Sequence, residues 1–451
     1  MNCTSCIIKA IQFMERSENS WQSQFMTTKL SIHLKWVAFK PYISYKLKTL
    51  KGDNMPYIKL SDKLRDKILE DNPHLQKNLE KPLRRRMEHD KPNLWRPAYV
   101  RDIEKILHSP YYNRYADKTQ VFSFYKNDDI SRRSLHVQLV SRIAKNISQM
   151  LGLDVNLTEA IALGHDIGHT PFGHAGESCI NEISLEKTGR AFMHNLQSVR
   201  VLDKIFDYNI TLNTLDGILC HNGELPLDKY TPEPYESFEK FDEMVEECYI
   251  DSKASRKLVP ATLEGCVVRI SDLIAYIGKD RQDSIRAKVI QDENVFSAGS
   301  LGRFNASIIN NLIVNVIENS YGKNYMKLDK EYYDDLMLAM KENYELIYLS
   351  ESVKSVQQEV IKPMFAKVFD SLLKDILNNK KDSVIFRHHI NYISKVRSFY
   401  SSDNYAELNT PEDIVIDYIS SMTDDYFSDL YAYLFPKSTP IKYVSYFDSR
   451  D

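Results

Sequence analysis

Gly164-His165-Asp166-Ile167-Gly168-His169-Thr170-Pro171-Phe172-Gly173-His174-Ala175-Gly176-Glu177 holds three histidines, an aspartate and a glutamate, spaced by small residues and one proline. Just upstream, Leu157-Thr158-Glu159-Ala160-Ile161-Ala162-Leu163 predicts a helix. Asn156 is its expected N-cap, with Glu159 three residues on as in a capping box. Gly168 and Pro171 stop that helix, so His165 and Asp166 are expected on its last turn, inside an apolar run that faces the core. An isolated His-Asp pair is ordinarily a structural hydrogen bond. Burying one is costly unless both groups are compensated, and a metal ion compensates both directly. Three further candidate groups follow within a dozen residues, so the stretch reads as a site.

The flanking segments supply partners for it. Ser134 to Leu151 predicts a helix whose Leu135, Leu139, Ile143, Ile147 and Met150 recur at spacings of three and four, as one buried face requires. His136 shares the side of Leu139, Val140 and Ile143 and points inward, and Arg133 stands one turn earlier at the mouth of the same space. One short connection separates this helix from His165-Asp166, so two antiparallel neighbours can bring the imidazoles together. Residues 262–285 give a second signal. Their apolar content demands a buried helix, yet Asp272, Tyr276 and Asp280 repeat at i, i+4 and i+8 as one polar line. That pattern reads as a metal ligand followed by groups that hold a bound molecule. Half of the twelve histidines lie between His136 and His221, more than scattered core use would give.

The remainder of the chain sets bounds. It has 451 residues, 43% hydrophobic and 27% charged, with a net charge of -3, which gives no global pull towards nucleic acid. Cys3, Cys6, Cys179, Cys220, Cys248 and Cys266 show no disulfide framework, as suits a reducing cytoplasm. Cys3 and Cys6 have redox or zinc spacing, but no second pair or nearby histidine completes a site. There is no bilayer-spanning run and no signal-peptide pattern, so no membrane partner is expected. Residues 1–54 read as an N-terminal extension, poorly ordered or upstream of a native start at Met55. Residues 55–130 form an N-terminal helical segment contributing to the site, and the polar part from Tyr57 to Arg86 reads as a solvated helical face. Pro226, Pro232, Pro234 and Pro260 bracket an acidic surface excursion or lid. Residues 291–451 form a C-terminal helical region whose aromatic faces, Tyr332, Tyr333, Tyr344 and Tyr348 among them, suit core or subunit packing.

His136, His165-Asp166 and Asp272 resemble the ligand pattern of the HD superfamily of metal phosphohydrolases. The finer resemblance is to its deoxyguanosinetriphosphate triphosphohydrolase family. It is carried by Asp117-Lys118-Thr119-Gln120-Val121-Phe122, Arg133-Ser134-Leu135-His136, the stretch from His165 to Glu177, and His194-Asn195-Leu196-Gln197-Ser198. Leu263-Glu264-Gly265, Asp272 to Asp280 and Asp417-Tyr418-Ile419-Ser420-Ser421-Met422-Thr423-Asp424 continue it. The resemblance runs from about Arg96 to Phe435. It departs where Thr170-Pro171 stands for Pro-Pro, Ser420-Ser421 for Ala-Gly and Asp425 for Arg. The fold implied is all-α, an HD-domain helical bundle at 131–290 with additional C-terminal helices.

The resemblance implies hydrolysis of a deoxynucleoside triphosphate, dGTP being favoured, to deoxynucleoside and triphosphate by metal-activated water attack at the α-phosphate. His136, His165, Asp166 and Asp272 would bind the cation, and mixed nitrogen and oxygen ligands with open positions suit Mn²⁺ or Mg²⁺. His174 would be the acid, oriented by Glu177, and His169 would act beside them on the phosphates. Arg133, Gln120, His194, Tyr276 and Asp280 would bind substrate, Gln120 and Asp280 at the 3′-hydroxyl and Tyr276 against the 2′ carbon. A homo-oligomer is implied, with regulatory nucleotide or single-stranded DNA as further partners. Two alternatives stay open. Another HD phosphohydrolase or phosphodiesterase would share the four ligands but not Gln120, Tyr276 and Asp280. A non-catalytic nucleotide sensor would lack the acid, and the presence of both His174 and Glu177 argues against it.

Overall fold

Helices built on the apolar periodicity described above dominate the computed structural model, which describes residues 59–221 and 227–445. Expectations for residues 1–54, Met55 and the Cys3–Cys6 pair lie outside the described residues. The chain divides into two compact units, Met1–His74 and Leu75–Asp451. Within the first, helix α1 (Asp62–Asp71) is capped by Ser61, whose hydroxyl accepts from Leu64 N–H, and it buries no side chain.

The second unit holds α2 (Ala98–Leu107), α3 (Arg133–Leu151), α4 (Val155–Gly164), α5 (Gly173–Thr188), α6 (His194–Arg200), α7 (Leu212–Leu219), α8 (Phe238–Ile250) and α9 (Leu263–Arg286). After these come α10 (Asn305–Ser320), α11 (Lys330–Asn343), α12 (Lys362–Leu377), α13 (Asn391–Arg397), α14 (Pro411–Ser420) and α15 (Asp424–Leu434). The described residues contain one small sheet, in which β1 (Lys229–Tyr230) pairs antiparallel with β2 (Met326–Lys327). The fold is all-α. No helix among the described residues is long and apolar enough to cross a membrane.

At the centre α3 packs on α4 and α9, and α4 packs on α2 and α7. The 24-residue α9 is buried along most of its length because Cys266, Val267, Val268, Ile270, Leu273, Ile274 and Ile277 surround its polar line. Three local expectations are corrected. Asp154, not Asn156, caps α4: its carboxylate accepts from the N–H groups of Asn156 and Leu157, whereas Glu159 pairs with Lys145 at 2.7 Å. A carboxylate two residues earlier reaches two orphan donors at once, so it outcompetes the amide. On α3 the buried face is Val137, Val140, Ala144 and Ile147, while Leu135 and Met150 are exposed. The stripe is rotated because α4 and α9 flank it on both sides, and His136 turns inward with it.

The third correction concerns Arg84, Arg85 and Arg86, which are not a solvated face. Arg84 is buried and pairs with Asp102 at 2.7 Å; Arg85 pairs with Asp203 at 2.7 Å and with Asp242. Arg86 binds Asp207 at 2.6 Å. The three guanidiniums tie an irregular segment to carboxylates far along the chain, and periodicity could not show those partners. The proline-bracketed segment likewise carries a packed helix, α8, anchored by Phe238, Phe241 and Cys248, while 222–226 are outside the described residues.

C-terminal helices support the centre from behind. α12 packs on α5, α14 and α15. Phe365 of α12 stacks on Phe427 of α15 at 4.5 Å, and both rings meet Phe172, with centroids 6.2 and 5.5 Å away. Phe172 has a positive φ of 61°, a strained conformation for an aromatic residue. Its N–H donates to Asp424 at 2.9 Å, and the aromatic cluster fixes the ring. The last helix thus holds the turn that carries the histidines.

Candidate active site

α4 ends at Gly164, and His165 and Asp166 stand on the turn just beyond it rather than within its last turn. Leaving the helix frees their side chains to face α3 and α9. Gly168 lets this turn lie against α6: a Cβ there would come within 2.2 Å of Ser198 N, and Gly168 N–H donates to Ser198 Oγ at 2.9 Å. Gly173 has φ of +55°, and a Cβ on it would sit 2.5 Å from the Gln120 carbonyl oxygen. The 117–122 loop is seated on the start of α3, where Arg133 N–H donates to the Lys118 carbonyl at 2.9 Å. Lys118 is itself buried and donates to the carbonyls of His169 and Ser420. Its amine is pushed well below its usual range, by burial and then by Arg114 and Arg133.

The four expected metal ligands converge. His136 Nε2 lies 2.9 Å from Asp272 Oδ1 and 4.0 Å from Asp166 Oδ2. His165 Nε2 lies 3.5 Å from Asp166 Oδ1 and 3.9 Å from Asp272 Oδ1. His165 Nδ1 is 2.7 Å from the Ala162 carbonyl, an acceptor, so it carries the proton and leaves Nε2 with its lone pair. That Nε2 is buried with no hydrogen-bond partner among the described residues. A backbone-anchored imidazole aiming an unused lone pair at two carboxylates is the ligand arrangement expected of a metal-binding histidine. The donor set fits a divalent cation. Burial alone would raise both carboxylates. His165 and Arg133 hold Asp166 well below the usual range, and the His136 hydrogen bond lowers Asp272, so both stay charged.

A second group lies against the first. Glu177 accepts from His194 N–H at 2.7 Å and from His194 Nδ1 at 2.9 Å with one oxygen, and from His174 Nδ1 at 3.0 Å with the other. Those three donors overcome burial and keep its carboxyl well below its usual range. His169 stacks on His194 with ring centroids 4.6 Å apart. Burial, with Arg133 and His194 nearby, keeps His169 neutral by lowering it well below its usual value. His174 is open to solvent, its side chain 62% exposed.

The expected substrate-binding residues are placed as follows. Arg133 pairs through one nitrogen with Asp166, and its Nε is buried with no partner among the described residues. Gln120 Oε1 and His169 Nδ1 are also buried and unpartnered among the described residues. Asp280 accepts from Tyr348 Oη at 2.5 Å, and burial raises its carboxyl to about 6. Tyr276 is half-buried on α9, one turn from both Asp272 and Asp280.

Sequence reasoning assigned no role to Tyr348 at Asp280, nor to His221. His221 is buried, its Nδ1 2.7 Å from the Ile218 carbonyl and its Nε2 3.9 Å from Asp166 Oδ1. Burial, with His165 and His194 adjacent, lowers it to about 3. The histidine count between His136 and His221 was the one signal that could have pointed there. Asp417 and Asp424 support the site: Asp417 binds Arg200 at 2.7 and 2.9 Å and Gln197 at 2.9 Å, and Asp424 binds Thr119 Oγ1 at 2.6 Å. Ser420, at one of the departures from the family pattern, accepts from Gln197 Nε2 at 3.1 Å.

The model of the HD domain matches residues 133–277. A deoxyguanosinetriphosphate triphosphohydrolase-like protein of Caldanaerobacter subterraneus subsp. tengcongensis is 32% identical over 81% of this chain and 92% of its own. Proteins of the same description from Clostridium tetani and Rickettsia bellii are 31% and 28% identical, over 73% and 76% of this chain and 83% and 92% of theirs.

Proposed function

Given that the chain belongs to the HD-domain family of deoxyguanosinetriphosphate triphosphohydrolase-like proteins, we propose that it hydrolyses a deoxynucleoside triphosphate to deoxynucleoside and triphosphate. One observation carries the reading: the unused lone pair of His165, among His136, Asp166 and Asp272, stands beside the His174–Glu177 pair. A divalent cation bound by those four, Mn²⁺ or Mg²⁺, would polarise the α-phosphate and lower the pKa of water.

The protein's own groups do the rest. Glu177 accepts a hydrogen bond from His174 Nδ1–H, which orients the ring and favours its imidazolium form, so that Nε2–H can give its proton to the departing 5′ oxygen and leave His174 as the neutral imidazole. Arg133 fixes Asp166 with one nitrogen and keeps Nε–H for a phosphate oxygen. Neutral His169 contributes a hydrogen bond rather than charge to the phosphates. Gln120 Oε1 is an acceptor for the 3′-hydroxyl, with Asp280, already polarised by Tyr348, on the other side. Tyr276 closes the space a 2′-hydroxyl would need.

Chromatographic product analysis on dNTPs, rNTPs and cyclic nucleotides tests this. Deoxynucleoside and intact triphosphate are expected from dNTPs alone. Release of monophosphate or orthophosphate, or turnover of a cyclic nucleotide only, would give the site to another HD-type phosphohydrolase. Tight dNTP binding without products would make it a sensor.

A further inference from the structure

The loop that carries Gln120 is held on both sides. Before Gln120, Thr119 donates its hydroxyl to Asp424 Oδ2 at 2.6 Å and its N–H to the same oxygen at 3.2 Å. After it, the backbone at buried Phe124 takes a positive φ of 64°, a conformation that an aromatic residue rarely adopts. Such a residue persists only where its surroundings over-determine it. Here they come from two places. The Phe124 ring lies against Phe172, with centroids 5.0 Å apart, and against Tyr443, 5.6 Å away and nearly perpendicular.

Tyr443 belongs to the irregular stretch that follows α15. Beside it, Val444 forms a short parallel bridge with Tyr125. Val444 N–H donates to the Phe124 carbonyl at 2.8 Å, and the Val444 carbonyl accepts from Lys126 N–H at 2.9 Å. Lys126 Nζ also stands 5.3 Å from the centre of the Tyr443 ring, within reach of a cation–π contact. Two backbone bonds and two side-chain contacts therefore fix Phe124 to Lys126. What happens at Phe124 reaches Gln120 by two short routes. Ser123, next to Phe124, meets Thr119, next to Gln120, hydroxyl to hydroxyl at 3.4 Å. Phe172, against the Phe124 ring, precedes Gly173, whose Cα closely abuts the Gln120 carbonyl.

We propose that Tyr443 and Val444 are positioning residues, a strap that holds this loop so that Gln120 meets the sugar 3′-hydroxyl. The inference rests on the reading of Gln120 given above. Gln120 Oε1 is buried with no hydrogen-bond partner among the described residues, so the loop backbone has to set its aim. An acceptor supported in that way loses its geometry when its supporting shell loosens. Both strap residues lie beyond Phe435, where the resemblance to the family ends, and that resemblance assigns them nothing.

The test uses the full-length chain carrying Val444→Pro, which removes the N–H that Phe124 accepts from, or Val444→Ala, which keeps both backbone bonds. Without nucleotide, hydrogen exchange across residues 117–126 should quicken several-fold in Val444→Pro at an unchanged melting temperature. With nucleotide, the ratio of kcat/KM for a dNTP to that for its 2′,3′-dideoxy analogue should fall roughly 2- to 10-fold, the weight of one hydrogen bond. The loss should come mainly through a higher KM for the dNTP. Val444→Ala should restore wild-type behaviour in both measurements. In a Gln120→Ala background Val444→Pro should leave the ratio where it is, since the strap acts through Gln120. If Val444→Pro does not fold, Tyr443→Ala, which withdraws the ring from Phe124 and Lys126, is judged by the same two readouts. Unchanged exchange, or an unchanged ratio, in a folded variant overturns the positioning role. A wild-type chain that treats the dNTP and its dideoxy analogue alike would sink the reading of Gln120 and the sugar role with it, while faster exchange in Val444→Pro would still show the strap on the loop.

Discussion

His174 and Glu177 show how much one carboxylate can do. A positioned proton donor contributes ~10²–10⁴-fold, and His174→Ala should lose kcat by about that factor while keeping its metal content and melting temperature. A folded variant with near-normal turnover would leave the mechanism without its acid. Glu177 does more than orient His174, because its second oxygen takes both the N–H and Nδ1 of His194. His174→Ala with Glu177→Gln should therefore be slower than His174→Ala alone; equal rates would mean that Glu177 acts through His174 only. Tyr276 is tested by substrate choice. Tyr276→Ala should narrow the gap between dNTP and rNTP in kcat/KM, and an unchanged ratio would remove it from the sugar site.

Among elements, the union of α6 with α14 is the one to break. Arg200 of α6 and Asp417 of α14 form a two-bond ion pair, and Tyr405 and Gln197 also donate to Asp417. Those donors outweigh burial and keep Asp417 below the usual carboxylate range. Removing one partner of a buried pair leaves an uncompensated charge and costs about 3–5 kcal/mol. Asp417→Ala should lose stability on that scale in denaturant melts. A loss under about 1 kcal/mol, the size of an exposed pair, would show that the helices are held by packing instead.

Stability of the whole molecule depends on pH through His389. It is buried, Nε2 3.0 Å from Tyr405 Oη and its ring stacked on Tyr418 at 5.0 Å. Burial lowers it to about 3, against about 6.5 for an unfolded histidine. A folded-state pKa below the unfolded one means that the unfolded chain takes up the proton first. The contribution is complete above about pH 6.5 and is lost as pH falls from there towards 3. At about 1.4 kcal/mol per unit it is worth roughly 5 kcal/mol. Unfolding free energies of wild type and His389→Gln, measured from pH 7 to 4, should therefore converge as the pH falls. Parallel curves would mean that His389 is not protonated on unfolding in this range.

The one-dimensional pattern was enough for helices, for the inward turn of His136, and for the grouping of His165 to Glu177, because each depends on residues a turn or two apart. It also exposed Asp272, Tyr276 and Asp280 as one line, since polar groups at i, i+4 and i+8 in an apolar helix have a single geometric reading. Its errors share one cause. The cap of α4, the rotated stripe of α3 and the buried guanidiniums of Arg84 to Arg86 were decided by partners distant in the chain, such as Asp102, Asp203 and Asp207. His221 and Tyr348 went without roles for the same reason. Each looks like an ordinary core residue until α7 and the Tyr348 segment are folded against Asp166 and Asp280. Residue types and local spacing therefore determined which groups are candidates for the chemistry. Which imidazoles point lone pairs at the same carboxylate depended on backbone acceptors, and only the packed helices bring those into place.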